Sequence, residues 1–300
     1  MILVAGATGV LGSEIVRRLL ARGQATRALV RSTSAPEKVS ALEQAGAEVV
    51  RGDLKDRRSL DAAVRGADTV ISTVTTILTS QPGDSFADTD GGGNMRLIDA
   101  AASAGTKHFI FVSFDTSSVP DSPLTSAKRD VEDHLRRSGM TWTILQPGLF
   151  METWLGPFLF ADPVTGTAKI YGEGRTGIRY VAVADVAEVA VRSVSVPSAR
   201  NAVIPFGGPD AITPRDALRM MEKECGRSFE VTEISEGALE AQWSAASDPY
   251  QKTFAALMLG VARGLGSTIA VPPKELCEEM TPPRDFLRRA AAGAVTPAGR

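Results

Sequence analysis

The stretch of sequence that decides the fold begins at the second residue and reads Ile2-Leu3-Val4-Ala5-Gly6-Ala7-Thr8-Gly9-Val10-Leu11-Gly12. Its first three residues form a short apolar run that is typical of a buried parallel strand. Residues 13–22 place apolar side chains on one face of a helix, which Gly23 would end. A strand, a glycine-rich turn and a helix in this order predict the first crossover unit of a doubly wound α/β sheet.

The three glycines of this turn each have a local physical reason. Gly6 would allow a tight turn after the strand, Gly9 would let the backbone approach a pyrophosphate, and Gly12 would let the helix pack closely on the strand. A tight turn without a ligand would use the same residues, but the strand and helix around them favour dinucleotide binding at the helix N-terminus. The spacing G-x-x-G-x-x-G resembles the short-chain dehydrogenase/reductase superfamily. The predicted diphosphate-binding residues are Gly6, Ala7, Thr8, Gly9, Val10, Leu11 and Gly12.

The composition excludes several classes of protein. Three hundred residues, 43% of them hydrophobic, are typical of a globular protein with an ample core, and a net charge of −2 gives no reason to expect a nucleic acid or membrane partner. No apolar run could cross a bilayer and no signal peptide precedes the first strand, so we expect a cytoplasmic protein. The spacing of Cys225, Cys277, His108 and His134 suggests neither a metal nor a redox site.

The end of the second predicted strand, residues 25–31, indicates which dinucleotide is bound. An acidic residue there would bind the ribose of NAD, whereas a basic residue would accommodate the 2′-phosphate of NADP. This chain has Arg31, no acid before Glu37, and then Lys38. A guanidinium can bind a phosphate with two hydrogen bonds, although an arginine at a strand end can also be merely solvated. We therefore predict NADPH or NADP as the cofactor, with NAD less favoured.

Further cofactor contacts are predicted where the next strands end. The third strand, 47–51, leads to Asp53 and Leu54, which would lie by the adenine, although Asp53 could equally cap the following helix. Residues 77–89 predict an irregular loop that either covers a substrate or is a plain surface loop. The fourth and fifth strands, 69–72 and 108–113, are expected to end at the ligand crevice, with the candidates Thr73, Val74, Ser113 and Phe114.

The catalytic segment departs from the superfamily pattern of a tyrosine four residues before a lysine. Lys128 is present, but Leu124 occupies the tyrosine position, and the hydroxyls of Thr125 and Ser126 are no comparable acid. Residues 128–140 predict an amphipathic helix that starts at Lys128. A cation in a first helical turn is mildly unfavourable, which favours a functional lysine over an exposed surface lysine. We take Lys128 as the candidate catalytic residue.

A sixth strand, 141–145, leads into the segment Gln146-Pro147-Gly148-Leu149-Phe150. Together with the glycines and Arg31, this order of motifs resembles the NmrA-like group of atypical short-chain dehydrogenases over residues 1–235. That group includes isoflavone and lignan reductases, NADPH-dependent quinone, azo-dye and triphenylmethane-dye reductases, and catalytically silent NADPH sensors. The resemblance implies that Lys128 contacts the nicotinamide ribose and takes part in proton transfer. It also implies that Pro147, Gly148, Leu149 and Phe150 border the nicotinamide, with backbone groups meeting the carboxamide.

The predicted fold class is a Rossmann doubly wound parallel sheet with a smaller, mainly helical C-terminal substrate domain. We place the NADP-binding domain at 1–150 and the second domain at 151–300, interleaved with late Rossmann elements at 178–206. In the second domain we expect an apolar helix over 151–161, which could form part of a substrate wall, and further helices toward the C-terminus. Residues 293–300 are expected to be a frayed tail.

Two functions follow from a site without the tyrosine. One is an NADPH-dependent reductase of apolar acceptors whose reduced anion is delocalised, such as quinones, azo compounds or conjugated enones, with Lys128, water or the Thr125 and Ser126 hydroxyls as proton source. The other is a non-catalytic NADPH-sensing or assembly protein with a regulatory protein partner. An epimerase or dehydratase with bound NAD is disfavoured by Arg31 and by the absent tyrosine. The oligomeric state is expected to be monomeric or homodimeric.

Overall fold

The computed structural model describes residues 1–293, so most of the predicted frayed tail, residues 294–300, lies outside the described part. The described residues contain two β-sheets. The strands are, in chain order, β1 (Ile2–Ala5), β2 (Thr26–Val30), β3 (Glu48–Arg51), β4 (Thr69–Ser72), β5 (His108–Val112), β6 (Thr141–Pro147), β7 (Ala161–Asp162), β8 (Thr167–Tyr171), β9 (Ala202–Phe206) and β10 (Glu230–Ile234).

The larger sheet has seven strands in the order β3-β2-β1-β4-β5-β6-β9, all parallel. In its centre, Val4 of β1 lies opposite Ala28 of β2 on one side and Ile71 of β4 on the other. The chain proceeds in one direction from β1 to β3 and in the other from β4 onward. A ligand crevice is therefore expected at the carboxyl ends of β1 and β4, where the direction reverses. This topology confirms the predicted Rossmann doubly wound sheet.

Helices cover both faces of this sheet. The α-helices of the described residues are, in chain order, α1 (Val10–Ala21), α2 (Pro36–Gln44), α3 (Arg57–Ala63), α4 (Asn94–Ser103), α5 (Pro123–Arg136), α6 (Met151–Trp154), α7 (Val183–Ser193), α8 (Pro214–Cys225), α9 (Glu236–Ala245), α10 (Pro249–Ala262) and α11 (Pro283–Ala291). The alternation of side chains along β1 divides the core: Ile2 and Val4 pack with α1, α2 and α7, whereas Leu3 and Ala5 pack with α3, α4 and α5.

The C-terminal elements surround a second core. The smaller sheet has the order β10-β8-β7, and apolar residues of α8, α10 and α11 pack with it. Helix α8 begins at Pro214, where Thr213 and Asp216 form a reciprocal capping box. No helix in residues 1–293 is long and apolar enough to span a membrane.

Two helix boundaries differ from the sequence prediction. Helix α5 begins at Pro123 rather than at Lys128, because Ser122 caps it in a capping box with Thr125. Lys128 therefore lies in the second turn, and the argument from an unfavourable first-turn cation was wrong. Helix α6 ends at Trp154 instead of continuing to residue 161. Pro157 explains this early end, since proline disfavours helical backbone at the residue before it and removes a helical hydrogen bond.

A third difference concerns the predicted loop 77–89. Its last residues belong to a π-helical segment, Phe86–Gly93, which Ser85 caps and which runs directly into α4. Short π-helical segments are uncommon and are often found at functional sites.

Candidate cofactor and acceptor site

The glycine turn connects β1 to α1 as the sequence predicts. Gly6 has φ of +81°, and its carbonyl accepts a hydrogen bond from the Gly9 N–H at 2.9 Å. A Cβ on Gly12 would collide with the Gly6 carbonyl, so only glycine lets the helix lie this close to the turn. A Cβ on Gly9 would meet only the Gly6 oxygen, at 3.2 Å, and otherwise project into open space. Because Gly9 also supplies no side-chain cap to α1, the helix N-terminus is open to an anion.

A cavity of about 360 Å³ extends from this turn along the carboxyl ends of the strands to the C-terminal helices. All of the predicted cofactor-binding residues line it except Ala7 and Lys38. Ala7 is buried beneath the turn, and Lys38 is exposed on α2. The remaining residues come from positions as distant in sequence as Gly6 and Phe150, which the parallel sheet brings to one edge.

At the predicted adenosine end, Arg31 pairs with an acid that the sequence analysis missed. The Arg31 guanidinium donates to Asp84 at 2.8 Å, and Lys55 donates to the other oxygen of the same carboxylate at 2.8 Å. The Asp84 side chain is only 1% exposed. Burial opposes its ionisation, but hydrogen bonds from the two cations and from the Gln81 N–H lower the pKa of Asp84 from 3.8 to about 2.

Asp84 belongs to the loop between β4 and the π-helical segment, and further contacts hold this loop over the cavity. Thr33 donates to Gln81 at 2.6 Å, and Tyr250 of α10 donates to Ser80 at 2.9 Å. The loop therefore joins the Arg31 end of the site to the C-terminal part of the chain.

Asp53 also lies beside this end of the cavity, but it does not cap a helix. Asp56 is the cap of α3, where it accepts from the Arg58 N–H. The Asp53 carboxylate instead accepts from the Lys55 N–H at 2.9 Å. Of the two roles that the sequence left open for Asp53, capping is thus wrong.

Lys128 lies at the other end of the cavity, and Ser113 also lines the cavity. Lys128 is 5% exposed, and its Nζ donates to the Val112 carbonyl at 3.3 Å and lies 4.8 Å from the centre of the Phe111 ring. Burial lowers the pKa of Lys128, and the charges of Asp90 and Glu132 partly oppose this effect. The Ser113 hydroxyl has no hydrogen-bond partner in the part of the chain that the structure describes. Both side chains are thus able to bind a ligand.

The other predicted proton sources are not in the site. The Thr125 hydroxyl is buried and bonded within the helix cap, and Ser126 is exposed on the outer side of α5. Tyr171 and Tyr180 are buried outside the cavity lining, and burial raises the pKa of Tyr171 to about 12 and that of Tyr180 further. Among the described residues, no tyrosine lines the cavity.

The backbone of the segment 147–150 is less available than expected. The Gly148 N–H donates to the Phe206 carbonyl at 2.8 Å, and the Leu149 carbonyl accepts from the Val181 N–H at 2.9 Å. Those two groups hold the segment against the C-terminal part of the chain. The expectation that backbone groups of this segment meet a carboxamide stays a prediction.

Beyond Lys128 the cavity becomes apolar. Trp154 and Leu159 contribute to it from the predicted apolar stretch, whereas Phe158 is 67% exposed and Leu155 and Phe160 are buried in the core. The apolar lining residues at this end are Leu124, Leu149, Phe150, Trp154, Leu159, Phe254, Leu257, Leu265 and Ile269. An open helix N-terminus, an arginine at the second strand and an apolar end are together the features that fit a phosphate-bearing dinucleotide beside an apolar molecule.

The histidines and cysteines lie elsewhere. His108 is buried in β5 with its Nε2 2.8 Å from the Thr143 hydroxyl, and burial lowers its pKa to about 4. His134 lies 2.7 Å from Asp99 on the surface, and Cys225 and Cys277 are free thiols. Within residues 1–293, no three His, Cys, Asp or Glu side chains are grouped so that they could hold a metal ion.

Comparison with known proteins agrees with this architecture. An NAD(P)H azoreductase of Xenophilus azovorans is 33% identical over 242 residues, which cover 78% of this chain and 77% of the relative. The photosystem II assembly factor Ycf39 of Synechocystis sp. is 30% identical over 235 residues, covering 78% and 70%. The leucoanthocyanidin reductase of Vitis vinifera, solved as a binary complex with NADPH, has the same fold, with a TM-score of 0.81 at 20% identity over 97% of this chain and 99% of that one. The model of the NmrA-like family matches residues 1–282, and the chain belongs to the NmrA-like family.

Proposed function

We propose that this chain is an NADPH-dependent reductase of apolar, conjugated acceptors of the quinone, azo or enone type. The observation that carries the proposal is one continuous cavity, with a phosphate-binding turn and Arg31 at one end and an apolar wall around Lys128 at the other. The NAD(P)H azoreductase at 33% identity supports the same class of reaction.

The two ends of the cavity would have separate roles. The α1 N-terminus and the Gly9 backbone would hold the diphosphate, and Arg31 would bind the 2′-phosphate beside Asp53 and Leu54. Residues from 151 onward would contribute the acceptor side through Trp154 and the α10 residues. The bound cofactor supplies a hydride, and the chain supplies orientation and the exclusion of water.

Lys128 is the residue we assign to the reacting end. Its ammonium would hold the nicotinamide ribose and donate a proton to the reduced acceptor. The place one helical turn before it is filled by Leu124, so no phenol is available to protonate a simple alkoxide at once. Acceptors whose reduced anion is delocalised suit this site, because such an anion is stable enough to be protonated by Lys128 or water after the hydride transfer.

The test is NADPH oxidation with matched panels of quinones, azo dyes, conjugated enones and simple ketones. We expect turnover with the first three groups, little with the ketones, and a loss of about 100-fold or more in Lys128→Ala. Arg129→Ala, an exposed neighbour on α5 that pairs with Asp121, is the control and should behave as the wild type. An absence of turnover with every acceptor, in protein that binds NADPH, would contradict the reductase proposal.

A second function is favoured by a separate observation. Arg31, which we assign to the 2′-phosphate, also fastens the loop that carries Asp84. Binding and release of NADPH would then change a surface loop, as a cofactor-sensing assembly protein requires. The 30% identity to the assembly factor Ycf39 supports this alternative. Hydrogen exchange in residues 77–85 that differs between the free and the NADPH-bound protein, together with NADPH-dependent capture of a partner and no turnover, would favour it over the reductase.

A further inference from the structure

A buried carboxylate behind the cavity wall has no role in the site described so far. Asp90 lies in the π-helical segment, and it is 0% exposed. Its Oδ2 accepts from the Thr76 N–H at 3.1 Å and from the Thr76 hydroxyl at 2.7 Å. Its Oδ1 has no hydrogen-bond partner among residues 1–293. Burying a carboxylate oxygen without a hydrogen-bond partner costs free energy, so a positive charge close to this atom would stabilise the folded chain.

The ammonium of Lys128, on the helix that packs against this segment, also has few hydrogen-bond partners. The Lys128 ammonium makes one long hydrogen bond, to the Val112 carbonyl at 3.3 Å, and has further donors to offer. No direct ion pair of Lys128 is found in the described part of the chain. A buried ammonium in this situation requires a compensating charge.

The packing of the π-helical segment on α5 brings the two charges to the same wall. A Cβ added to Gly91, the residue after Asp90, would lie 3.5 Å from the Cβ of Ala127, the residue before Lys128. Glycine at 91 therefore lets the two segments approach closely. Thr76, which Asp90 holds, lines the cavity together with Lys128.

The other charged groups around Lys128 are already paired. Glu132, one turn further along α5, accepts from Arg136 at 3.1 Å and from Gln146 of β6 at 3.0 Å. Asp115, three residues after β5, accepts from the N–H and the hydroxyl of Ser117. Phe111 and Val112 of β5 present only an aromatic ring and a carbonyl to the ammonium. This leaves Asp90 as the carboxylate with a free oxygen.

We propose that Asp90 is the positioning residue of this site: the negative charge on its free oxygen stabilises the Lys128 ammonium at the cavity wall through space, without a direct ion pair, while its other oxygen holds the Thr76 segment of the same wall. The consequence for turnover rests on the proposed function, but the pairing of the two charges can be measured without any acceptor.

The direct test is Asp90→Asn. The asparagine carbonyl can still accept both hydrogen bonds from Thr76, so the substitution removes the charge and keeps the contacts. The titration of Lys128 is followed by NMR of ¹³C-labelled lysine, with its signal assigned by Lys128→Arg. We expect the titration midpoint to fall by about one pH unit or more in Asp90→Asn, because an opposite charge nearby favours the ammonium. Asp130→Asn, an exposed carboxylate on the same helix, is the control and should leave it unchanged. An unchanged midpoint in folded Asp90→Asn overturns the proposal.

A double-mutant cycle gives a second measurement that does not depend on either variant being fully stable. Asp90→Asn leaves a buried cation unpaired, and Lys128→Met leaves a buried carboxylate unpaired. The double variant removes both charges, so its loss in thermal stability should be smaller than the sum of the two single losses. Strictly additive losses would contradict the pairing.

The reductase assay then separates the two proposals. If Lys128 acts as its ammonium, activity falls as the pH rises through its pKa, and Asp90→Asn should move this fall to lower pH. A shifted NMR titration without turnover of any acceptor would leave the charge pairing in place and refute the reductase instead.

Discussion

The strongest test of the cofactor assignment is Arg31→Ala, because Arg31 is the residue that would distinguish NADPH from NADH. Its Nη1 is engaged by Asp84 at 2.8 Å, which leaves its other donors for a 2′-phosphate. A hydrogen bond between charged groups contributes about 1.5–3 kcal/mol. Since the Arg31 side chain is 31% exposed, solvent screens it, and we take about 2–3 kcal/mol for the whole phosphate contact. At about 1.4 kcal/mol for each factor of ten, NADPH should bind about 30- to 150-fold more weakly.

NADH lacks the 2′-phosphate, so its affinity should change only slightly in the same variant. The assay is calorimetric titration of both nucleotides at low and high salt, with Arg51→Ala as the control. Arg51 is an exposed arginine at the end of the neighbouring strand β3, outside the cavity lining. Its replacement should leave both affinities as they are.

A second variant, at Asp84, extends this experiment. Without Arg31, the Asp84 carboxylate keeps only Lys55 as its cationic partner and lies near the proposed phosphate position. Repulsion should then contribute to the loss, and Arg31→Ala combined with Asp84→Asn should recover part of the NADPH affinity. Equal losses for NADPH and NADH in Arg31→Ala would refute the 2′-phosphate role. An equal loss in Arg51→Ala would show that net charge alone is responsible.

Three further predictions follow from the same geometry. Gly9→Val should abolish nucleotide binding in calorimetry, because the valine side chain would fill the space at the helix N-terminus where we place the diphosphate. The circular dichroism spectrum should stay intact, since a Cβ on Gly9 meets only the Gly6 oxygen. Retained affinity would refute the diphosphate placement. Asp84→Asn should lower the free energy of unfolding in urea by about 1–2 kcal/mol at neutral pH, because its folded pKa of about 2 lies below the ordinary 3.8. This difference should shrink as the pH falls from about 4 toward 2, and a constant difference would contradict the ion-pair account. Trp154→Ala should raise the KM for aromatic acceptors without changing NADPH binding. Phe158→Ala, which removes an exposed aromatic side chain, should change neither the KM nor NADPH binding.

The features that the sequence predicted well are local ones. The glycine turn depends on backbone conformation and on the close approach of Gly12 to Gly6, both of which are encoded within seven residues. The place of Arg31 in the cavity lining follows from its position at the end of the second strand, and the alternation of strands and helices predicts a parallel sheet. Each of these inferences needs only the order of elements along the chain.

The features that the sequence did not predict depend on distant partners. Asp84 is 53 residues from Arg31 and lies in a loop without periodicity, so no pattern connects the two. Asp90 lies in a π-helical segment, whose spacing matches neither a strand nor an α-helix. The start of α5 was predictable in principle, since Ser122 and Pro123 form a helix-start signal, but Thr125 takes the place of the usual Glu or Gln in the capping box.

The start of α5 also determines what the reacting end can do. Because the helix begins at Pro123, Leu124 and Lys128 are one turn apart and both line the cavity. The position one helical turn before Lys128 therefore lines the cavity with the apolar side chain of Leu124 and offers no acid there. Among the described residues, the only cation at this end of the lining is then Lys128, which is buried against Phe111. Under the proposed charge pairing, Asp90 stabilises the Lys128 ammonium, and Asp90 also holds Thr76 of the same wall. Proton supply and the shape of the acceptor pocket would therefore respond together to a change at one buried carboxylate, which a surface lysine could not achieve.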